Sequence, residues 1–292
     1  MTTVPERFRQ ATAEARARGD VVGFVPTMGD LHGGHARLIG AARKECGFTA
    51  LSIFVNPMQF ESRSDLEAYP RRLEKDRAVA ASLGVDVVFA PAERDLYPRG
   101  TPEVTVDPGP LGERLEGASR PAHFRGVLTV VAKLLALAGP CRAYFGEKDA
   151  QQLALIRRLV ADLNLPVEVV ACPTVRTPDG LALSSRNARL SREERAAAGV
   201  LFEALTTAAA MARKGERRRD VLKAEIARRI GAEPLARLDY VAVVDDETWE
   251  EPEIVVVGAR ALVAARFGAT RLIDNLVLPS PGETTVQNSD GA

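Results

Sequence analysis

Short, unbroken, β-branched runs alternate with helix-length segments through the first 175 residues, and that alternation leaves few folds open. Strands are expected at residues 21–26, 50–55, 85–90, 143–145 and 167–171, with helices between them at 36–45, 71–83, 124–138 and 151–163. The strand runs are continuously apolar rather than alternating, as happens when both faces of a sheet are covered. A parallel sheet with right-handed crossover helices satisfies this pattern.

The pattern changes after Thr177-Pro178-Asp179-Gly180, a turn by composition. A helix is expected over 191–213, opened by Ser191 with Glu194 three residues on, the spacing of a capping box. Short strands are expected at 240–244, 254–257 and 261–265. The fold class is therefore α/β: a Rossmann-like parallel-sheet domain over 1–175, then a smaller α+β domain over 176–278. The polar stretch 279–292 reads as a disordered tail.

Lys plus Arg and Asp plus Glu both total 39, so charge alone points to neither nucleic acid nor membrane. No apolar run reaches the roughly 18 residues of a membrane span. The amino-terminal residues lack the layout of a signal peptide, and Cys46, Cys141 and Cys172 form no C-x-x-C pair. A cytoplasmic protein with reduced thiols is expected. The basic run 213–219 is more simply a solvated helix end than an RNA contact.

In an open parallel sheet, ligands bind beyond the carboxyl ends of the strands. Three polar loops fall there: Pro26–His35 after the first strand, the Asn56-Pro57-Met58-Gln59 stretch after the second, and Gly146-Glu147-Lys148-Asp149 after the fourth. His32 and His35 are two of only three histidines. A zinc site needs a third or fourth ligand, yet His123 is the one remaining histidine and no H-E-x-x-H helix exists. A structural role stays open. The favoured reading is hydrogen bonding to phosphate beside a helix N-terminus, with Gly33 and Gly34 permitting close approach.

Lys148 suits phosphate charge, and Asp149 suits a helix N-cap, a ribose or a metal contact. Leu183-Ser184-Ser185-Arg186 is either a phosphate clamp or a loop capping the next helix. Asn56, Gln59 and Gln152 are neutral amides in apolar surroundings, suited to a small polar substrate or to turn backbone. His123 is either a site residue or a helix cap.

Six blocks in order carry a resemblance: PTMGDLHGGH, SIFVNPMQF, AYPR, HFRGVLTVVAKL, YFGEKDAQQL and DGLALSSRN. His32-Gly33-Gly34-His35 resembles the HIGH motif of nucleotidyltransferases, and the full set resembles the pantothenate synthetase (pantoate–β-alanine ligase) family. The likeness runs from about Val21 to the 270–275 strand. It implies an enzyme that joins (R)-pantoate to β-alanine at the expense of ATP, through a pantoyl adenylate, releasing pyrophosphate and AMP. It further implies ATP contacts from Met28, Gly29, Asp30, Leu31, His32, Gly33, Gly34 and His35. Gly146, Glu147, Lys148, Asp149, Val175, Leu183, Ser184, Ser185 and Arg186 would complete that set. His35 would be the proton donor, Gln59 and Gln152 would hold pantoate, and Gln59 would also lie near β-alanine.

Mg²⁺ would accompany ATP, with Asp76 a candidate ligand, and the protein would be a homodimer whose second domain acts as a lid. Asp30 departs from the family's frequent alanine, and Gly33 from its frequent glutamate or alanine. Another H-x-G-H nucleotidyltransferase would need cations for a second phosphorylated substrate, where this chain offers neutral amides. A class I tRNA synthetase is disfavoured by chain length, and a non-catalytic nucleotide sensor would release no pyrophosphate.

Overall fold

The computed structural model describes residues 1–282, so the expected tail lies outside the described residues from position 283 onward. The described residues divide into two compact units: residues 1–175 with 183–185, and residues 176–182 with 186–282.

The first unit runs α1 (Pro5–Ala17), β1 (Val22–Thr27), α2 (Gly33–Glu45), β2 (Phe48–Ile53), α3 (Arg63–Glu67), α4 (Leu73–Ser82) and β3 (Val87–Phe89). It continues with α5 (Glu93–Leu96), α6 (Glu116–Ser119), α7 (His123–Ala138), β4 (Cys141–Gly146), α8 (Ala150–Asp162) and β5 (Val167–Cys172). All five strands are parallel, in the order β3-β2-β1-β4-β5. The chain winds outward from β1 through β2 to β3, then returns to start again at β4. The switch point therefore lies between β1 and β4, where α/β sheets place their ligands.

Burial explains the unbroken runs. Phe24, Val25, Ala50, Leu51, Ala143 and Tyr144 are fully enclosed, with helices on both faces. Helix α1, which apolar periodicity alone does not announce, buries Phe8 in a stack on Phe89 with ring centres 4.7 Å apart. Helix α2 starts at Gly33, three residues before the apolar pattern that predicts it, because both glycines and His35 lie inside its first turn.

The second unit holds α9 (Arg192–Ala197), α10 (Val200–Arg213), α11 (Arg219–Gly231), β6 (Ala236–Val244), β7 (Arg260–Phe267) and β8 (Thr270–Val277). The strands form an antiparallel sheet in the order β6-β7-β8. Ser191 and Glu194 do form the capping box. The helix expected over 191–213 is broken at Ala198-Gly199.

The strand expected at 254–257 is absent: Ile254 makes one isolated bridge to Arg218, and Val256 and Val257 are exposed. The third strand is β8, whose Leu272 and Asp274 are buried. The basic run is tied within the unit, Arg218 to Glu216, Arg219 to Asp220 and the Glu251 carbonyl, and Arg217 to the Pro279 carbonyl. No helix among the described residues is long and apolar enough to cross a membrane.

Candidate active site

The β1 loop is held from below by side chains that accept its backbone N–H groups. Thr27 Oγ1 donates to the Ser52 carbonyl at 2.7 Å and accepts from Gly29 N at 3.2 Å. Gly29, at φ +85°, makes a turn that a side chain would resist, and Asp30 follows at φ +51°. Asp76, buried on α4, accepts from Asp30 N at 2.9 Å and from Leu31 N at 2.8 Å. Each carboxylate oxygen thus holds one loop amide. In this geometry Asp76 shapes the loop. Among the described residues no group of three or more His, Cys, Asp or Glu side chains is placed to hold a metal.

The two histidines cap α2. His32 is the N-cap, and its Nδ1 accepts from Gly34 N at 3.1 Å; His35 Nδ1 accepts in turn from His32 N at 3.2 Å. A backbone N–H only donates, so both Nδ1 atoms are unprotonated and each ring carries its hydrogen on Nε2. The ring centres are 4.1 Å apart. Burial is the largest cause lowering both proton affinities; Lys148 lowers His32 further, and His32 helps push His35 down to about 3. Both imidazoles are neutral at pH 7. With Nδ1 accepting from His32 N, His35 presents Nε2–H as its donor. A Cβ on Gly34 would meet the His32 ring at 2.8 Å, so the cap requires glycine there.

The β4 loop faces the same histidines. Glu147–Asp149 form a single 3₁₀ turn leading from Gly146 into α8. Lys148 and Asp149 both perturb His32 electrostatically, and Asp149 also acts on His35, which places this loop beside the imidazoles. Asp149 occupies the N-cap position of α8, but its side chain makes no cap bond. Lys148 Nζ lies 3.5 Å from Asp149 Oδ1. The segment from Val175 to Leu183 closes on itself through Leu183 N to the Val175 carbonyl at 2.9 Å. Leu183 lies against Gly33, where an added Cβ would meet its Cδ1 at 3.1 Å. Ser184 and Ser185 share the first unit with these groups, whereas Arg186 belongs to the second.

The β2 loop presents an amide. Asn56, fully buried, donates through Nδ2 to the Gly126 carbonyl at 3.0 Å and to Gln59 Oε1 at 3.1 Å. Its Oδ1 accepts from Met58 N at 3.4 Å and from the Tyr97 hydroxyl at 3.0 Å. Asn56 is thus saturated and supports Gln59. Gln59 Nε2 points at the sulfur of Met28, a weak acceptor on the β1 loop.

The Gln59 carbonyl accepts from His123 Nδ1 at 3.0 Å and from Arg120 at 3.2 Å, while Arg120 also donates to His123 Nε2. His123 therefore fixes the Gln59 backbone. A Cβ on Gly126 would lie 2.3 Å from the Met58 carbonyl oxygen, so α7 approaches this turn only because of glycine. The adjacent glutamines differ. Gln151 is consumed by the Leu111 and Arg114 carbonyls and by Glu116 N, whereas the half-buried Gln152 amide makes no hydrogen bond among the described residues.

Sequence reading singles out Asn56 as an amide but misses Tyr97, Arg120 and Gln151. Gly126 in a helix interior is the available signal, since glycine there marks a close backbone approach.

A profile of the Pantoate-beta-alanine ligase family matches residues 1–277. The chain is 53% identical over 282 residues to the pantothenate synthetase of Rubrobacter xylanophilus, spanning 94% of this chain and 97% of that one. It is similar to the crystal structure of pantothenate synthetase from Thermus thermophilus, with a TM-score of 0.87 at 47% identity over 95% of this chain and 99% of the other. It also resembles a pantoate-beta-alanine ligase from Francisella tularensis complexed with beta-gamma ATP and beta-alanine, with a TM-score of 0.78 at 36% identity over 97% of this chain and 98% of the other. With the loops of the parallel-sheet site and nearly the whole chain matched, this protein is an enzyme belonging to the pantoate-beta-alanine ligase family.

Proposed function

We propose that this enzyme condenses (R)-pantoate with β-alanine in two steps at one site. A pantoate carboxylate oxygen attacks the α-phosphorus of ATP, and the bond to the bridging oxygen breaks to release pyrophosphate. The β-alanine amine then attacks the acyl carbon of pantoyl adenylate, and AMP departs. The observation that carries this reading is the contact of Gln59 Nε2 with Met28: the amide suited to pantoate abuts the loop suited to nucleotide. A carboxylate held there lies next to the phosphates, and such proximity supplies much of the rate for a displacement of this kind.

Negative charge develops on the phosphates as pyrophosphate leaves. His32 and His35 Nε2–H, Lys148, Ser184, Ser185 and Arg186 are donors suited to that charge, and none needs to become a covalent nucleophile. Met28–Leu31, Gly33, Gly34, Gly146, Glu147, Asp149, Val175 and Leu183 would frame the nucleotide. Gln152, whose amide is unengaged, would join Gln59 on pantoate. The relative from Francisella tularensis, complexed with beta-gamma ATP and beta-alanine, supports the same pairing of ligands. The donor set lacks a cluster of carboxylates for Mg²⁺ among the described residues, so the ion would ride mainly on ATP oxygens, its usual habit, and supply charge screening. A cytoplasmic homodimer completes the proposal, tested by sedimentation and cell fractionation.

ATP–pyrophosphate exchange is the deciding experiment. Exchange that requires pantoate but not β-alanine is expected. Absence of pantoate-dependent exchange, with ligation still proceeding, would exclude a released-pyrophosphate adenylation step.

A further inference from the structure

We propose that Tyr97 is a positioning residue which, through Asn56, locks the Gln59 amide so that it presents only N–H to the substrate. This rests on the reading of Gln59 as a pantoate contact and gives it a direction. The group that meets Gln59 must be an oxygen acceptor, a carboxylate or a hydroxyl lone pair, and a donor at that place is rejected.

The orientation follows from forced assignments. The Gly126 carbonyl can only accept, so the Asn56 atom 3.0 Å from it is the nitrogen. The Met58 N–H can only donate, so the opposite atom of Asn56 is the oxygen. The second Nδ2 hydrogen of Asn56 then requires an acceptor, and the Gln59 atom 3.1 Å away is Oε1. One end of the Gln59 amide is thereby fixed from the protein side, and Nε2 with its two hydrogens is the end that remains. Its present partner, the Met28 thioether, is a weak acceptor that a substrate oxygen readily replaces.

Tyr97 is the firmer of the two partners that hold Asn56 Oδ1. Its hydroxyl donates at 3.0 Å, whereas Met58 N is 3.4 Å away. The ring is held independently, nearly enclosed, with its edge against Phe54 at 5.8 Å and Lys133 Nζ 5.6 Å from its centre. The Gln59 main chain is fixed separately by His123 and Arg120. Loss of the Tyr97 hydroxyl therefore bears on the Gln59 side chain and leaves its backbone anchored. An unlocked amide divides its time between two orientations and offers the substrate a carbonyl in one of them.

The test is a double-mutant cycle with Tyr97→Phe and Gln59→Met, reading KM for pantoate and for ATP separately. Tyr97→Phe keeps the ring packing and removes one hydroxyl. We expect its pantoate KM to rise roughly tenfold, as for a lost buried hydrogen bond, with the ATP KM changed less than about twofold. In the Gln59→Met background the same change should have almost no further effect, because no amide remains to be oriented.

Gln59→Glu is the check that does not depend on Tyr97 tolerating substitution. It retains the bond from Asn56 while turning the outward atom into an acceptor, and should raise the pantoate KM by about a hundredfold or more. Additive effects in the cycle, equal effects on both substrates, or a fully active Gln59→Glu enzyme would overturn the lock while leaving the ligase reading intact. A wild-type enzyme with no measurable pantoate dependence would overturn both.

Discussion

The loops after β1 and β2 sit side by side on one sheet edge, yet they are built from opposite materials. The β1 loop carries imidazoles and faces a lysine; the β2 loop carries neutral amides. What they share is the way each functional group is prepared. In the β1 loop, Nδ1 of His32 and of His35 is occupied by a backbone N–H. In the β2 loop, Oε1 of Gln59 is occupied by Asn56. In every case the protein engages the acceptor end, and the end left over is an N–H. The proposed site for a triphosphate and a carboxylate would need donors throughout, and these groups would supply them with little net positive charge. The difference is one of depth: the β1 groups are set by backbone one turn away, whereas Gln59 depends on a relay from Tyr97 on a distant segment.

The largest effect expected from this comparison comes from separating the two ends of His35. In His35→Asn the new Oδ1 takes the place of Nδ1 and preserves the bond from His32 N, while the shorter amide places its N–H groups short of the Nε2 position. Pyrophosphate release with pantoate should fall about 100- to 1,000-fold, the scale of one lost transition-state donor, with the melting temperature nearly unchanged. Near-normal turnover would reduce His35 to a helix cap.

A smaller effect is expected at Asp76, whose carboxylate holds two loop amides. Asp76→Asn replaces one acceptor by an amide nitrogen and orphans the N–H of Asp30 or Leu31, costing about 1–3 kcal/mol of stability. ATP affinity should weaken several-fold, and the Mg²⁺ concentration for half-maximal activity should not move. Denaturant unfolding and Mg²⁺ titration decide this. A changed Mg²⁺ requirement at unchanged stability would return Asp76 to the role expected from sequence.

The parallel sheet is legible because its signal is local: five buried runs, each followed by a helical period. The loop positions follow, since topology sends the ends of β1, β2 and β4 to one edge. What escapes sequence reading depends on contacts between distant segments. Asp76 reads as a candidate metal ligand in a helix's first turn, and its hold on the loop 45 residues earlier shows only once that loop folds over it. Tyr97 reads as a core aromatic until its hydroxyl reaches Asn56. Gln151 and Gln152 are indistinguishable as neighbours in a chain, but the helix turns one into a buried clamp and leaves the other's amide unengaged. The misplaced strand at 254–257 has the same origin, because its β-branched run implies burial throughout, whereas the chain buries Val255 and leaves Ile254, Val256 and Val257 exposed.

The smallest expected effect concerns pH, and it tests whether the β1 imidazoles are held neutral as their bonds require. His35 has its proton affinity lowered from the ordinary value of 6.5 to about 3, chiefly by burial, and His32 is lowered too. Well above pH 6.5 these rings are neutral whether the chain is folded or not, and they contribute no pH dependence. Below 6.5 the unfolded chain takes up protons that the folded rings refuse, so the unfolded state gains and stability falls as pH drops toward 3. Each ring contributes at most about 1.4 kcal/mol per pH unit across its window. Carboxylates such as Glu216 and Glu225, both held down to about 2 by arginine partners, lose their stabilising charge only at more acid pH. Denaturant midpoints between about pH 7.5 and 5 therefore isolate the histidines. The wild-type midpoint should decline over this range and His35→Asn should decline less. Parallel curves for the two proteins would mean that His35 protonates freely in the folded state, and the contrast between a neutral imidazole loop and a neutral amide loop would fail at its first member.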